Sequence, residues 1–83
     1  MRSTFNSPDG HATVVCDGGM FGDTWTLSVG QHVVDKCRMG FFKQMSVGVN
    51  NPSGWANFKM SGGGYKVTVN FNTRTREFMV LFV

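Results

Sequence analysis

The residues able to do chemistry begin with two histidine–cysteine pairs, His11 with Cys16 and His32 with Cys37, each five positions apart. Imidazole and thiolate are common zinc ligands, and the two pairs together make a nominal four-ligand set. The spacing works against it. Residues five apart on a strand point to opposite faces, and on a helix they stand about 140° apart. The set therefore reads as two small apolar cysteines in a core and two surface histidines. No metal and no cofactor are expected.

The same types could also pair as nucleophile and base. Neither cysteine follows a glycine-rich turn or opens an expected helix, the settings that lower a thiol pKa. The acids are Asp9, Asp17, Asp23, Asp35 and Glu77. Most adjoin turn signals, where aspartate usually serves the turn. Ser61-Gly62-Gly63-Gly64 is glycine-rich, but a strand follows it, and it lacks the Gly-Lys-Ser/Thr ending of a phosphate loop. It reads as a turn. The chain is thus expected not to be an enzyme. The one catalytic alternative is a small, metal-independent ribonuclease-like activity built on histidine and arginine.

Binding chemistry is better represented. Trp55, Lys59, Lys66, Arg74 and Arg76 place an aromatic platform among cations. That combination holds single-stranded nucleic acid by charge and stacking. Lysine and arginine on an outer sheet face are also routine protection against edge pairing. No RRM, KH or cold-shock signature accompanies them. The net charge of +3 permits contact with nucleic acid or an acidic protein and demands neither.

These residues need elements to carry them, and Gly64 to Val83 supplies the clearest ones. Tyr65, Val67, Val69 and Phe71 alternate with Lys66, Thr68 and Asn70, the period of a half-buried strand. Phe78 to Val83 is apolar on both faces. If a two- or four-residue turn falls within Asn72 to Thr75, Val69 pairs with Phe78 and Val67 with Val80. Met79, Leu81 and Val83 then share the outer face with the cations. A three-residue turn reverses the parity and turns Phe78, Val80 and Phe82 outward. Either way one apolar row needs cover, from a partner or from the leader 1–10 with Phe5.

Three further strands follow from alternation: His11 to Cys16, Thr24 to Val29 and Trp55 to Met60. Gln31 to Met45 departs from it. Val33, Val34, Cys37, Phe41 and Met45 recur at steps near three and four, which predicts an amphipathic helix. A long twisted hairpin turning at Met39-Gly40 is the competing reading. The expected fold is α+β, in the order β-β-α-β-β-β, with one helix packed on an antiparallel sheet. A small all-β barrel is the alternative.

Eighty-three residues make one domain, 1–83, with residues 1–10 as a loose leader. Only 16% of residues are charged, below the ordinary figure of about 25%, so some apolar surface is expected to face another chain. The start of the chain shows no apolar signal segment, and its apolar runs are too short for a membrane span. The expected setting is cytoplasmic, without membrane contact. Taken together, the residues suggest a small non-catalytic inhibitor or adaptor, of the kind found among phages and mobile elements. It would dock on a protein partner or form a homodimer through a sheet face or edge. The binding residues would be Trp55, Lys59, Lys66, Arg74, Arg76, Met79, Leu81 and Val83. Sequence-independent nucleic-acid binding is the alternative.

Overall fold

The computed structural model describes residues 2–40 and 52–83. Among them every regular element is a strand. Four strands form one antiparallel meander: β1 (Arg2–Asn6), β2 (Ala12–Gly19), β3 (Gly22–Val29) and β4 (His32–Gly40). Three form a second: β5 (Trp55–Gly62), β6 (Tyr65–Asn72) and β7 (Phe78–Phe82). The fold is all-β with two antiparallel sheets.

The expected α+β fold is thereby corrected. The helix placed over Gln31–Met45 is strand β4 as far as Gly40, and positions 41–45 lie outside the described residues. The physical reason is a β-bulge. Leu27 pairs with Asp35 and Ser28 with Val33, so Val34 is an extra residue in the ladder. A bulge sets two residues against one and leaves both leaning to similar sides. Val34 and Cys37 both pack toward the core. The extra residue stretches what would be a two-residue step into a three-residue one, which imitates a helix.

The turns explain why the chain doubles back so closely. Gly30 and Gln31 link β3 to β4, with Gly30 at φ 61 and Gln31 outside the positive region. That is the type II′ geometry, whose twist matches the strands it joins. Gly63 and Gly64 link β5 to β6, both at positive φ (58 and 85), the type I′ form that glycine favours. Arg2–Asn6, within the stretch read as a leader, is β1 and pairs with β2 throughout.

The sheets pack face to face. Ala12, Val14 and Cys16 from β2, Trp25 and Leu27 from β3, and Met39 from β4 meet Met60 from β5 and Val67, Val69 and Phe71 from β6. Trp25 sits at the centre, edge-on to both Phe58 and Phe78 at 5.6 and 5.5 Å between ring centroids. The two sides of the sandwich differ. At the β4–β5 side, the Ser61 N–H donates to Asp35 Oδ2 at 3.0 Å, and Gly62 lies close against Val34. At the β1–β7 side no ladder joins the strands, and contact is made through the Phe5 and Phe78 rings, 5.5 Å apart.

Candidate functional site

The outer face of the β5–β6–β7 sheet gathers most of the residues singled out from the sequence. Its strands are in antiparallel register, so directly opposed residues share a face. One row reads Asn57, Asn70, Met79 and the next Lys59, Thr68, Leu81. Ser61 and Lys66 follow, with the Val83 N–H donating to the Lys66 carbonyl at 2.8 Å. Trp55 opposes Asn72 at the other end. Met79, Leu81 and Val83 are 54%, 51% and 85% exposed. An unbroken apolar row thus runs along β7 beside a face whose charged groups are Lys59 and Lys66. None of β5, β6 or β7 carries a carboxylate.

The register differs from the sequence expectation by two residues. Val69 pairs with Val80 and Val67 with Phe82. Buried Asn72 is the cause. Its Oδ1 accepts from the N–H groups of Arg74 and Thr75 at 2.9 and 3.0 Å, and its Nδ2 donates to the Ser53 carbonyl. The carboxamide anchors the loop from inside, so the reversal spans Thr73 to Arg76, closed by Asn72 N–H donating to the Glu77 carbonyl. A shift of two preserves the faces: Phe78, Val80 and Phe82 pack inward. Arg74 and Arg76 lie on this loop at the end of the sheet rather than on its face. Arg76 has φ 63, and the Arg74 stem lies over Gly54.

β7 is also a sheet edge. The Val83–Lys66 and Glu77–Asn72 hydrogen bonds fix which residues turn their backbone to β6. Those are the odd-numbered positions, since hydrogen-bonded pairs alternate along an antiparallel ladder. The N–H and C=O groups of Phe78, Val80 and Phe82 therefore point away from β6, and among the described residues no ladder takes them up.

The histidines and cysteines are not brought together. His11 and His32 are exposed, Cys16 is buried in the core and Cys37 is half-buried. Among the described residues no group of three or more His, Cys, Asp or Glu converges. Cys16 pairs with Trp25, which pairs with Cys37. Two strand spacings put the thiols' backbones about 10 Å apart, beyond the roughly 7 Å reach of a disulfide. Burial, ahead of the charges of Asp23 and Asp17, pushes the Cys16 thiol up to about 11.

Three further features stand outside the residues singled out as a binding site. Met20 and Phe21, at the β2–β3 hairpin tip, are 89% and 70% exposed; only the two-residue gap between their flanking glycines marks them as a tip. Asp9 joins the two sheets at the β1–β2 loop. Its carboxylate accepts from Ser7 Oγ, from the Tyr65 hydroxyl and from the His11 N–H. Those donors, in that order, lower its pKa to about 2. At one end of the sandwich lies a cavity of about 200 Å³ floored by Trp25, Phe58, Phe71 and Phe78 and edged by Asp23, Arg76 and Glu77. Its described lining also includes Thr73 and holds no histidine or cysteine.

No protein-family model, no curated protein and no solved structure matches this chain. Among the described residues no helix is long and apolar enough to cross a membrane.

Proposed function

We propose that this protein is a small, non-catalytic interaction module that docks onto another protein chain through the outer face and free edge of β7. One observation carries the reading. The exposed row Met79, Leu81, Val83 stands beside backbone groups of the same strand that no ladder takes up among the described residues. Apolar side chains and an open ladder are the two things a strand-docking partner uses. A contiguous exposed apolar patch on a small domain commonly marks a contact surface. A cytoplasmic, reducing setting belongs to the same proposal and suits two thiols held apart by Trp25.

Affinity capture from the source cells, with and without nuclease, tests it. The wild-type protein recovers a protein partner that survives nuclease, and Leu81→Lys loses it. Recovery of the same proteins by Leu81→Lys overturns the reading.

A second reading is favoured by Trp55, Lys59 and Lys66 standing on one face of adjacent strands. On it, the β5–β6 face holds single-stranded nucleic acid. Binding then falls steeply with salt and is lost in a Lys59→Glu, Lys66→Glu double variant. Absence of any gel shift at low salt removes it.

A further inference from the structure

Among the described residues four strand edges bound the two sheets, and three carry protection. Edge strands are usually guarded by charge, proline, bulges or cover. β1 presents Arg2 and otherwise mostly polar residues. β4 carries the bulge together with Lys36 and Arg38. β5 carries Lys59, and Asp35 of β4 reaches over to its Ser61 N–H. β7, Phe78-Met79-Val80-Leu81-Phe82, has no charge, no proline and no bulge.

We infer that the occupant of this edge is a second copy of the chain, paired β7 to β7 antiparallel about Val80. The inference rests on the docking reading above and names its partner. The register allows self-pairing along the full length of the strand, and the missing charge leaves nothing to oppose it. The free backbone groups belong to Phe78, Val80 and Phe82. About a two-fold axis at Val80, Val80 meets the other copy's Val80 and Phe78 meets its Phe82. Every free donor then meets a free acceptor, and the whole five-residue strand is paired. The two three-stranded sheets become one six-stranded sheet. A two-fold contact of this kind is self-complementary, the usual form of a homodimer.

The side chains agree with the backbone. In this register Met79 opposes the other copy's Leu81 in a non-hydrogen-bonded pair, and the reverse pair lies beside it. Such pairs bring Cα atoms to about 4.5 Å and pack closely. Four apolar side chains close over the seam on the outer face. No like charges meet, because neither strand carries any. Lys66 stands on β6, one strand removed. The paired surface is one strand wide, small beside a permanent dimer interface, so the dimer forms and dissociates with concentration.

Sedimentation equilibrium over a concentration series, with cysteine cross-linking, tests the inference. Wild-type protein shows a monomer–dimer equilibrium, and Leu81→Lys, exposed and therefore able to fold, weakens it about tenfold or more. Mixed Met79→Cys and Leu81→Cys proteins, both in a Cys37→Ser background, form a disulfide-linked heterodimer under mild oxidation, whereas each alone forms little. Two outcomes overturn the inference. One is a monomer at all concentrations. The other is a dimer in which Met79→Cys alone links as well as the mixture, which rules out this register. A monomer that still captures a different protein through Leu81 leaves the docking reading standing while this one falls. Loss of that capture as well removes both.

Discussion

Leu27 and Leu81 allow one substitution to be made on the two sides of the fold. Leu27 is fully buried between the sheets, whereas Leu81 is 51% exposed on the outer face of β7. Truncating a buried leucine to alanine removes its transfer energy and leaves a cavity, costing about 2–5 kcal/mol. At about 0.05–0.15 kcal/mol per residue, 83 residues carry a total stability of about 4–12 kcal/mol. Leu27→Ala therefore removes a large share of it. With a urea m-value near 1 kcal/mol/M for so small a chain, the midpoint falls by about 2 M or more. Leu81→Ala forfeits at most half of a leucine's burial, about 0.8–1.5 kcal/mol, and shifts the midpoint by no more than about 1.5 M. The assay is urea unfolding followed by tryptophan fluorescence, which Trp25 in the core reports directly. Low protein concentration keeps association from adding to either value. If Leu81→Ala costs as much as Leu27→Ala, β7 does not present Leu81 outward. The docking surface and the self-pairing register would then both lose their basis.

Asp9 has a folded pKa of about 2 against an ordinary 3.8. Its depressed value stabilises the fold fully above about pH 4, and that contribution is lost as pH falls toward 2. Tyr65→Phe removes one donor, so an NMR titration should show the Asp9 midpoint rising toward 3.8; an unchanged midpoint would show that Tyr65 does not hold the carboxylate. Gly22 sits at φ 135, where an added Cβ would collide with the Met39 carbonyl oxygen, while Gly10 at φ 79 has open space around it. Gly22→Ala should thus destabilise by about 3 kcal/mol or more and Gly10→Ala by about 1, with equal thermal shifts counting against the β3–β4 packing. In the folded protein a thiol reagent should modify Cys37 well before buried Cys16, which should react at the rate of global unfolding; simultaneous labelling would contradict the core placement.

Much of this fold is written in the sequence at the level of alternation. Ala12, Val14 and Cys16, then Trp25 and Leu27, then Val67, Val69 and Phe71 all point inward as a period of two requires. Legibility ends where geometry breaks the period. The bulge at Val34 put a three-residue step into β4, and periodicity cannot tell such a step from a helical one. Gly30-Gln31 carried the opposing signal, a two-residue hairpin turn, and its weight exceeds that of the spacing because a II′ turn commits both flanking strands. The candidate surface was legible as a composition, an uncharged strand beside cations. Its register was not: Asn72 is a turn-forming residue, but alternation alone does not say whether it opens the turn or ends β6 and holds the turn through Arg74 and Thr75.

The bulge that hid β4 also explains why β7 is the edge left open. A bulge bends its strand and re-aims side chains. Here it turns Asp35 toward β5, where the carboxylate accepts from the Ser61 N–H, and brings Val34 against Gly62. A Cβ at Gly62 would stand 2.8 Å from the Val34 Cβ, so the two strands fit only because that position is glycine. One side of the sandwich is therefore sealed by a hydrogen bond and close backbone packing. Among the described residues the opposite side has no hydrogen bond between its edge strands, and the Asp9–Tyr65 bond ties the sheets only at the loop end. Phe5 and Phe78 close it with an aromatic contact inside the core, which satisfies side chains but none of the backbone groups at the rim. Burying the apolar interior and guarding the strand edges are separate requirements, and among the described edges β7 meets only the first. Among the described residues the Phe78, Val80 and Phe82 backbone groups have no ladder partner, and an edge with no charge to repel another strand favours pairing with one.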